Sequence, residues 1–370
     1  METKDVEEEM TNKITKFQLF FILIQCQIGV GLLSLPHAVQ ETAKGDGWIS
    51  TLIAGVVVQV MLVIYWQLLK RFPTLIYTEI TQKIFGIFLG KLLNIVIYLY
   101  FILVGGLATI LFIKLINLWL LPLTPGWIIS LLILTACVYL AISDLKMIAR
   151  FFVLVFSLIL LLWFLSLLSL FTPKEIQYVL PIGSSGIKNI VMGSNNSLLA
   201  MLGFEGLLFF LPFVIENKKG VFKTISLANL FITLFYTYFI FITLISFSTD
   251  QLAQMREPVL NILRAITYKV VDRVDLIFLS IWVVPMATSI ISYLYFASKS
   301  LNLKKKHYQK VVLLNGFLLF LITLIPHDDA FISMFNKYVS YLSYGVVFVI
   351  PTLLLILSIL LKRHEMSETT

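Results

Sequence analysis

The sequence predicts an all-helical protein that crosses a membrane many times, and three observations carry this prediction. Of its 370 residues, 59% are hydrophobic and only 13% are charged, whereas a soluble domain has roughly 45–50% apolar and about 25% charged residues. The mean hydropathy is +0.96. Long apolar runs recur along the chain between charged residues, prolines and glycines. Because backbone groups in lipid must be satisfied within their own segment, these runs are predicted to be helices.

A span of about 20 apolar residues crosses a bilayer, and the runs give ten such spans. The first ten residues contain five acids, which argues against a signal peptide, so the first apolar run is expected to remain as a span. We divide the chain into an N-terminal tail (1–16), one membrane domain (17–362) and a C-terminal tail (363–370). The predicted spans are 17–38, 48–69, 92–116, 126–143, 151–171, 194–215, 224–248, 275–298, 311–325 and 337–361.

Lysine and arginine predict the orientation. With the N-terminus in the cytoplasm, the inner segments hold 19 of these residues and the outer segments hold eight. This bias places both termini inside. It also accounts for the net charge of +8 without a nucleic-acid partner. Segments 70–91 and 250–272 are predicted to be amphipathic helices at the inner and outer face, acting either as covers of a site or as packing elements.

Two related strings interrupt the first and sixth spans. GVGLLSLP begins at Gly29, and GFEGLLFFLP begins at Gly203. They lie five spans apart in helices of opposite direction, which is the pattern of a five-plus-five inverted repeat with broken helices. The repeats would cover about 17–171 and 194–361. The predicted fold class is an all-α polytopic membrane protein with helices 1 and 6 broken, an arrangement that resembles the LeuT type.

The breaks are the predicted ligand site. Freed N–H and C=O groups need partners, and a small polar ligand can supply them. The positive end of a half-helix suits a carboxylate, and open carbonyls suit an ammonium group, so an α-amino acid fits both. The alternative is that the glycines only allow close helix packing. The residues at the two breaks are Gly29, Val30, Gly31, Gly203, Phe204, Glu205 and Gly206.

Glu205 is the outstanding residue, because a carboxylate among apolar residues of a span normally faces a cavity or a partner. It could bind a proton, a cation or a ligand amine, or it could make a structural hydrogen bond. On helix 8, Ser289 and Tyr293 share a face and could line the pocket, and Thr288 with Ser289 could hold an ion. Hydroxyls that bond back to their own helix are the common alternative. On helix 3, Tyr98 and Gly105 offer an aromatic wall and a packing notch.

No phosphate-binding loop, zinc motif, nucleophile elbow or catalytic carboxylate pair occurs in the sequence. We therefore expect no enzyme activity, no cofactor and no metal site.

Several strings together resemble a known family. They are IGVGLLSLP, FPTLIYTEITQKIFGIFLGKLL, GFEGLLFFLP and REPVLNILRAI. The chain resembles the B subunit of bacterial spore germinant receptors, within the amino acid–polyamine–organocation transporter superfamily, over roughly residues 14–362. The resemblance implies a transporter-like fold used as a nutrient sensor in the spore inner membrane. It further implies an A subunit, a C-subunit lipoprotein and membrane lipids as partners.

Two other functions remain open at this point. A secondary transporter that moves an amino acid with protons or sodium would need the same pocket. A component of an ion-release channel would rest on Glu205 and a polar path. The helix 5 lysine of some proton-coupled relatives has no counterpart here, whereas Thr288 and Ser289 resemble the helix 8 hydroxyl pair of sodium-coupled relatives.

Overall fold

The computed structural model describes residues 13–29, 31–215, 220–266, 273–302, 305–325 and 328–365. Within these ranges the chain forms helices and turns, together with one isolated parallel bridge between Ile14 and Val214. Ile14 N donates to the carbonyl of Phe213, and Ile215 N donates to the carbonyl of Ile14. The bridge therefore ties the chain just before the first helix to the end of the broken sixth segment.

Each predicted span overlaps helical structure. The first half of the chain contains α1 (Lys16–Gln27), α2 (Gly31–Ala43), α3 (Gly47–Arg71), α4 (Tyr77–Trp119), α5 (Gly126–Ala141), α6 (Leu145–Leu167) and α7 (Ile187–Ala200). The second half begins with the short α8 (Leu207–Phe210), which lies between the 3-10 turns Phe204–Gly206 and Leu211–Phe213. It continues with α9 (Val221–Leu244), α10 (Thr249–Gln254), α11 (Pro258–Arg264), α12 (Val274–Ser300), α13 (Tyr308–Leu324), α14 (Asp329–Ser343) and α15 (Ile350–Leu360).

The membrane class is confirmed by helix length and apolarity. Six helical segments of the described chain are long and apolar enough to cross a bilayer. The pair Ile187–Ala200 and Phe204–Phe213, which bends by 53° at its break, makes a seventh if it is one span. The helices α5 and α13 are apolar but shorter. The chain is therefore an all-helical, polytopic membrane protein.

Helix α1 lies at the centre of the packing that positions the site. It packs against α6, α9 and α12, while α12 also packs against α4. On the other side, α3 packs against α7 and α9. The break that follows α1 is therefore surrounded by long helices, and aromatic residues fill the remaining space, as where Phe278 stacks on the fully buried Trp282.

The predicted inner-face helix is part of a longer one. Helix α4 begins at Tyr77 and kinks at Gly86, where φ is +82°, a value that favours glycine. Asn94 holds the two parts together, because its Nδ2 donates to the Thr78 carbonyl and its Oδ1 accepts from the Thr81 hydroxyl. The predicted outer-face segment forms two helices, α10 and α11, with Pro258 opening the second one; its last residues, 267–272, lie outside the described ranges.

Candidate ligand site at two broken helices

The first break separates α1 from α2. Helix α1 ends at Gln27, Ile28 is extended (φ −89°, ψ 103°), and α2 begins at Gly31. A Cβ placed on Gly31 would lie 3.3 Å from the Cβ of Ala200. The start of α2 therefore lies directly against the end of α7.

The second break follows α7. Gly203 has φ +119°, and the helical path resumes at Phe204. A Cβ on Gly203 would lie only 2.3 Å from the carbonyl oxygen of Cys26. Both the backbone angle and this approach require glycine. The two interruptions predicted from sequence therefore lie against each other.

Tyr236, on α9, links the two breaks. Its hydroxyl is 2.8 Å from the Gln27 carbonyl oxygen and 3.0 Å from the Ala200 carbonyl oxygen. Each of these carbonyls ends a helix and has lost its partner in the next turn. The single hydroxyl proton can be donated to either carbonyl, so one side chain supports both helix ends.

Glu205 lies one turn into the second break and is 1% exposed. Its Oε2 accepts from the Gly203 N–H at 2.7 Å, and its Oε1 accepts from the Tyr100 hydroxyl at 3.1 Å. The carboxyl group thus sits at the N-terminal end of the second half-helix, where the backbone dipoles favour negative charge. Within the described part of the chain, no Lys, Arg or His forms an ion pair with it.

The two hydroxyls of the eighth span (α12) that are predicted as ion ligands bond both to their own helix and to the first segment. The Thr288 hydroxyl is 2.7 Å from the Pro285 carbonyl oxygen of its own helix and 3.0 Å from Gln25 Oε1, and the Ser289 hydroxyl donates to the Ile28 carbonyl at 3.1 Å. A Cβ on Gly29 would lie 2.8 Å from Ser289 Oγ. Ser289 therefore faces the first break directly, and Thr288 lies one turn of α1 below it.

Some of the residues predicted to line the pocket from the third span (in α4) and from the eighth span (in α12) lie close together. The Tyr293 ring lies 6.5 Å from the Phe101 ring, and a Cβ on Gly105 would meet Tyr293 Cβ at 3.5 Å. The hydroxyl of Tyr98 instead donates to Asn315 on α13. Gly105 and Tyr293 are thus neighbours, whereas the polar end of Tyr98 engages another helix.

The remaining predicted residues of the second break are packed against aromatic rings. Phe204 stacks on Tyr65 with ring centroids 5.8 Å apart. A Cβ on Gly206 would lie 2.7 Å from the Phe296 ring. Val30, the other residue predicted at the first break, lies outside the described residues.

Helices α10 and α11, together called the cover, pack against α2. The Gln40 amide donates to the Thr249 carbonyl at 3.0 Å, and His37 Nδ1 lies 2.8 Å from the Leu252 carbonyl oxygen. These contacts fasten α10 to α2. The segment predicted as an outer amphipathic helix therefore lies over the helix that begins at the first break.

Charges hold the same cover to the rest of the bundle. Arg256, between α10 and α11, pairs with Asp329, which also pairs with Lys114 of α4. The neighbouring Glu257 is half-buried, and this burial raises the pKa of its carboxyl above the ordinary value of 4.5. Asp329, at the start of α14, is the central member of this exposed three-charge cluster.

Comparisons with known proteins agree on one family. A family model described as "Spore germination protein" matches residues 13–332. This chain belongs to that family. Among its relatives, spore germination protein GerQB of Bacillus cereus is 27% identical over 95% of this chain and 98% of its own length. Spore germination proteins YndE and A2 of Bacillus subtilis (strain 168) are 26% and 25% identical, and each alignment covers at least 95% of both chains.

Membership of the spore germination family confirms the resemblance carried by the sequence strings. The chain is therefore a germination-related, permease-like membrane protein that contains the two broken helices. Sequence reasoning did not find Tyr100 or Tyr236, the two hydroxyls that contact Glu205 and the broken helix ends. Both lie in apolar spans, and nothing in the sequence separates them from the other tyrosines, of which the chain has 15 in total.

Proposed function

We propose that this protein is the nutrient-sensing membrane subunit of a spore germinant receptor. It binds an amino acid or a similar small germinant between the two breaks and triggers germination together with an A subunit and a C-subunit lipoprotein. The observation that carries the proposal is the meeting of two glycine-rich breaks beside a buried carboxyl group: Gly203 lies against the Cys26 carbonyl, and Glu205 lies within the second break. Relatives that align along nearly the whole chain are germination proteins by name.

The chemistry of the site suits an α-amino acid. The ammonium group of the ligand would meet the Glu205 carboxyl and the carbonyls of the helix ends at Gln27 and Ala200. Its carboxylate would meet the backbone N–H groups that begin the helical segments at Gly31 and Phe204. Thr288 and Ser289 could hold a coupled ion once their hydrogen bonds to α1 open.

The architecture we propose for this function has ten spans in a five-plus-five inverted repeat, with both termini in the cytoplasm and the protein in the spore inner membrane. Broken helices at corresponding places in two repeats give a site that two arrangements of the bundle can share. A germinant shifts the balance only if it binds one arrangement better than the other. The partner subunits would respond to the change in the arrangement of the bundle.

The test is deletion of the gene in its host, with spores scored for germination against panels of amino acids, sugars and nucleosides. We expect selective loss of the response to one nutrient, restored by the wild-type gene. Normal germination in the deleted strain, with loss of nutrient uptake by growing cells, would contradict the receptor function and favour a secondary transporter.

The complementation is repeated with Glu205→Gln and with Glu175→Gln, in which the exchanged glutamate is exposed in a loop. We expect Glu205→Gln to insert normally and to leave the response strongly reduced, while Glu175→Gln restores it. If spores whose membranes contain normal amounts of the Glu205→Gln protein respond normally, Glu205 is not part of the ligand site.

A further inference from the structure

We propose that Glu205 holds a proton in the ligand-free protein, and that the germinant is an amine whose ammonium group replaces this proton. This inference rests on the function proposed above and names the chemical class of the ligand and the proton that its binding releases. It joins two observations, which are the surroundings of the carboxyl group and the hydrogen bonds of the carbonyls at the breaks.

The carboxyl group of Glu205 has neutral partners. Its oxygens accept from the Gly203 N–H and the Tyr100 hydroxyl, and its own backbone N–H is a third donor. An ionised carboxylate offers about four acceptor positions, so these neutral donors leave it incompletely satisfied. Other titratable side chains near it are uncharged at neutral pH; they are Cys26 on α1, Tyr65 on α3, Tyr77 on α4 and Tyr293 on α12.

Two of these tyrosines donate to other acceptors. The Tyr65 hydroxyl donates to the Val347 carbonyl, and the Tyr77 hydroxyl donates to the Val346 carbonyl. Among the described residues no cation faces this carboxyl group, and a buried carboxylate without a cation is costly in a low-dielectric interior. Binding a proton removes this cost, and the Tyr100 hydroxyl at 3.1 Å can then accept a hydrogen bond from the carboxyl group.

Three carbonyls at the two breaks are served by only two hydroxyl protons. The carbonyls of Gln27, Ile28 and Ala200 take their hydrogen bonds from the side-chain hydroxyls of Tyr236 and Ser289. A ligand that opens the breaks must replace those donors. An ammonium group carries three N–H donors and a positive charge, so it satisfies the carbonyls and pairs with ionised Glu205. A hydroxyl in the same position offers one donor and no charge.

The exchange balances in charge. The cationic ligand enters, Glu205 loses one proton to the solvent, and the site holds an ion pair in place of a neutral acid. Amine affinity should therefore rise about tenfold per pH unit wherever the ligand-free protein keeps Glu205 protonated. A ligand without an amine would show no such dependence.

The first measurement is infrared difference spectroscopy of the full-length protein in lipid without ligand. The carbonyl band of a protonated carboxylic acid should be present in the wild-type protein and in Glu175→Gln and absent from Glu205→Gln. Since the wild-type band is also followed as pH is raised, the result does not depend on a variant that folds poorly. If the wild-type protein has no such band at neutral pH, the inference is overturned.

The second measurement is calorimetric titration with neutral α-amino acids, each paired with the α-hydroxy acid of the same side chain, in buffers of different ionisation enthalpy. We expect an amino acid to bind at least about tenfold more tightly than its hydroxy analogue, with release of about one proton. Equal binding of both members without proton release would overturn the inference and leave the proposed function standing. Binding of no compound by a protein that shows the infrared band would overturn the proposed function and the amine half of the inference.

Discussion

Replacing Gly203 by alanine tests whether the two broken helices touch. The φ of +119° disfavours any L side chain, at a cost of about 1–2 kcal/mol. The new Cβ would also lie 2.3 Å from the Cys26 carbonyl oxygen, and such overpacking costs roughly 1–3 kcal/mol more. We expect the free energy of unfolding to fall by about 2–5 kcal/mol, because the Cys26 backbone cannot move without shifting α1.

Gly183→Ala is the matched control. Gly183 also has a positive φ of +84°, but a Cβ added there meets nothing within 4 Å. The control therefore carries only the backbone strain, about 1–2 kcal/mol. The difference between the two variants measures the close approach of the breaks.

Both variants can be unfolded with denaturant in detergent micelles and followed by the fluorescence of the six tryptophans. The germination response of spores that carry each variant gives a second readout. If Gly203→Ala is no less stable than Gly183→Ala and responds normally, the contact between the breaks is refuted.

Three further predictions concern the breaks and the cover. Tyr236→Phe leaves two helix-end carbonyls without their donor and should lower the unfolding free energy by about 1–3 kcal/mol, whereas the exposed Tyr338→Phe should change it little in the same denaturant titration. Gly31→Leu, whose Cβ would already lie 3.3 Å from Ala200, should abolish ligand binding, and an unchanged affinity in calorimetry would move the pocket elsewhere. Burial raises the pKa of Glu257 above 4.5, so its stabilising protonated form is lost as pH rises. Glu257→Gln should therefore raise the melting temperature at pH 7 and leave it unchanged at pH 4, and an equal shift at both pH values would contradict the assignment.

The location of the breaks could be predicted from sequence because glycine and proline are specific local signals. Gly203 is the best example, since its positive φ and the approach of the Cys26 carbonyl both exclude a side chain. Glu205 was also identifiable, because an acid in an apolar span is rare for a physical reason. In both cases the residue type itself carries the information.

The side chains that complete the site could not be predicted in the same way. Tyr98 was proposed from sequence as the aromatic wall of helix 3, and the structure brings Tyr100 to Glu205 instead. Two residues apart on a helix of 3.6 residues per turn are separated by about 200°, so the two tyrosines face opposite sides. In a span that is apolar all round, no pattern indicates which side faces the centre.

The hydrogen bonds that close the breaks also set what a ligand must achieve. Ser289 already donates to the Ile28 carbonyl, and Tyr236 donates its one proton to the carbonyl of Gln27 or of Ala200, so an entering ligand exchanges one set of partners for another. Its net gain comes from a positive charge beside Glu205, which none of the described residues supplies. Moving a two-state protein from 1:99 to 99:1 needs a difference in binding of about 5.5 kcal/mol between the states. A hydrogen bond to a charged group contributes roughly 1.5–3 kcal/mol, whereas an exchanged neutral hydrogen bond contributes about 1 kcal/mol. The selectivity of the response should therefore depend on the charge of the ligand more than on its number of polar groups.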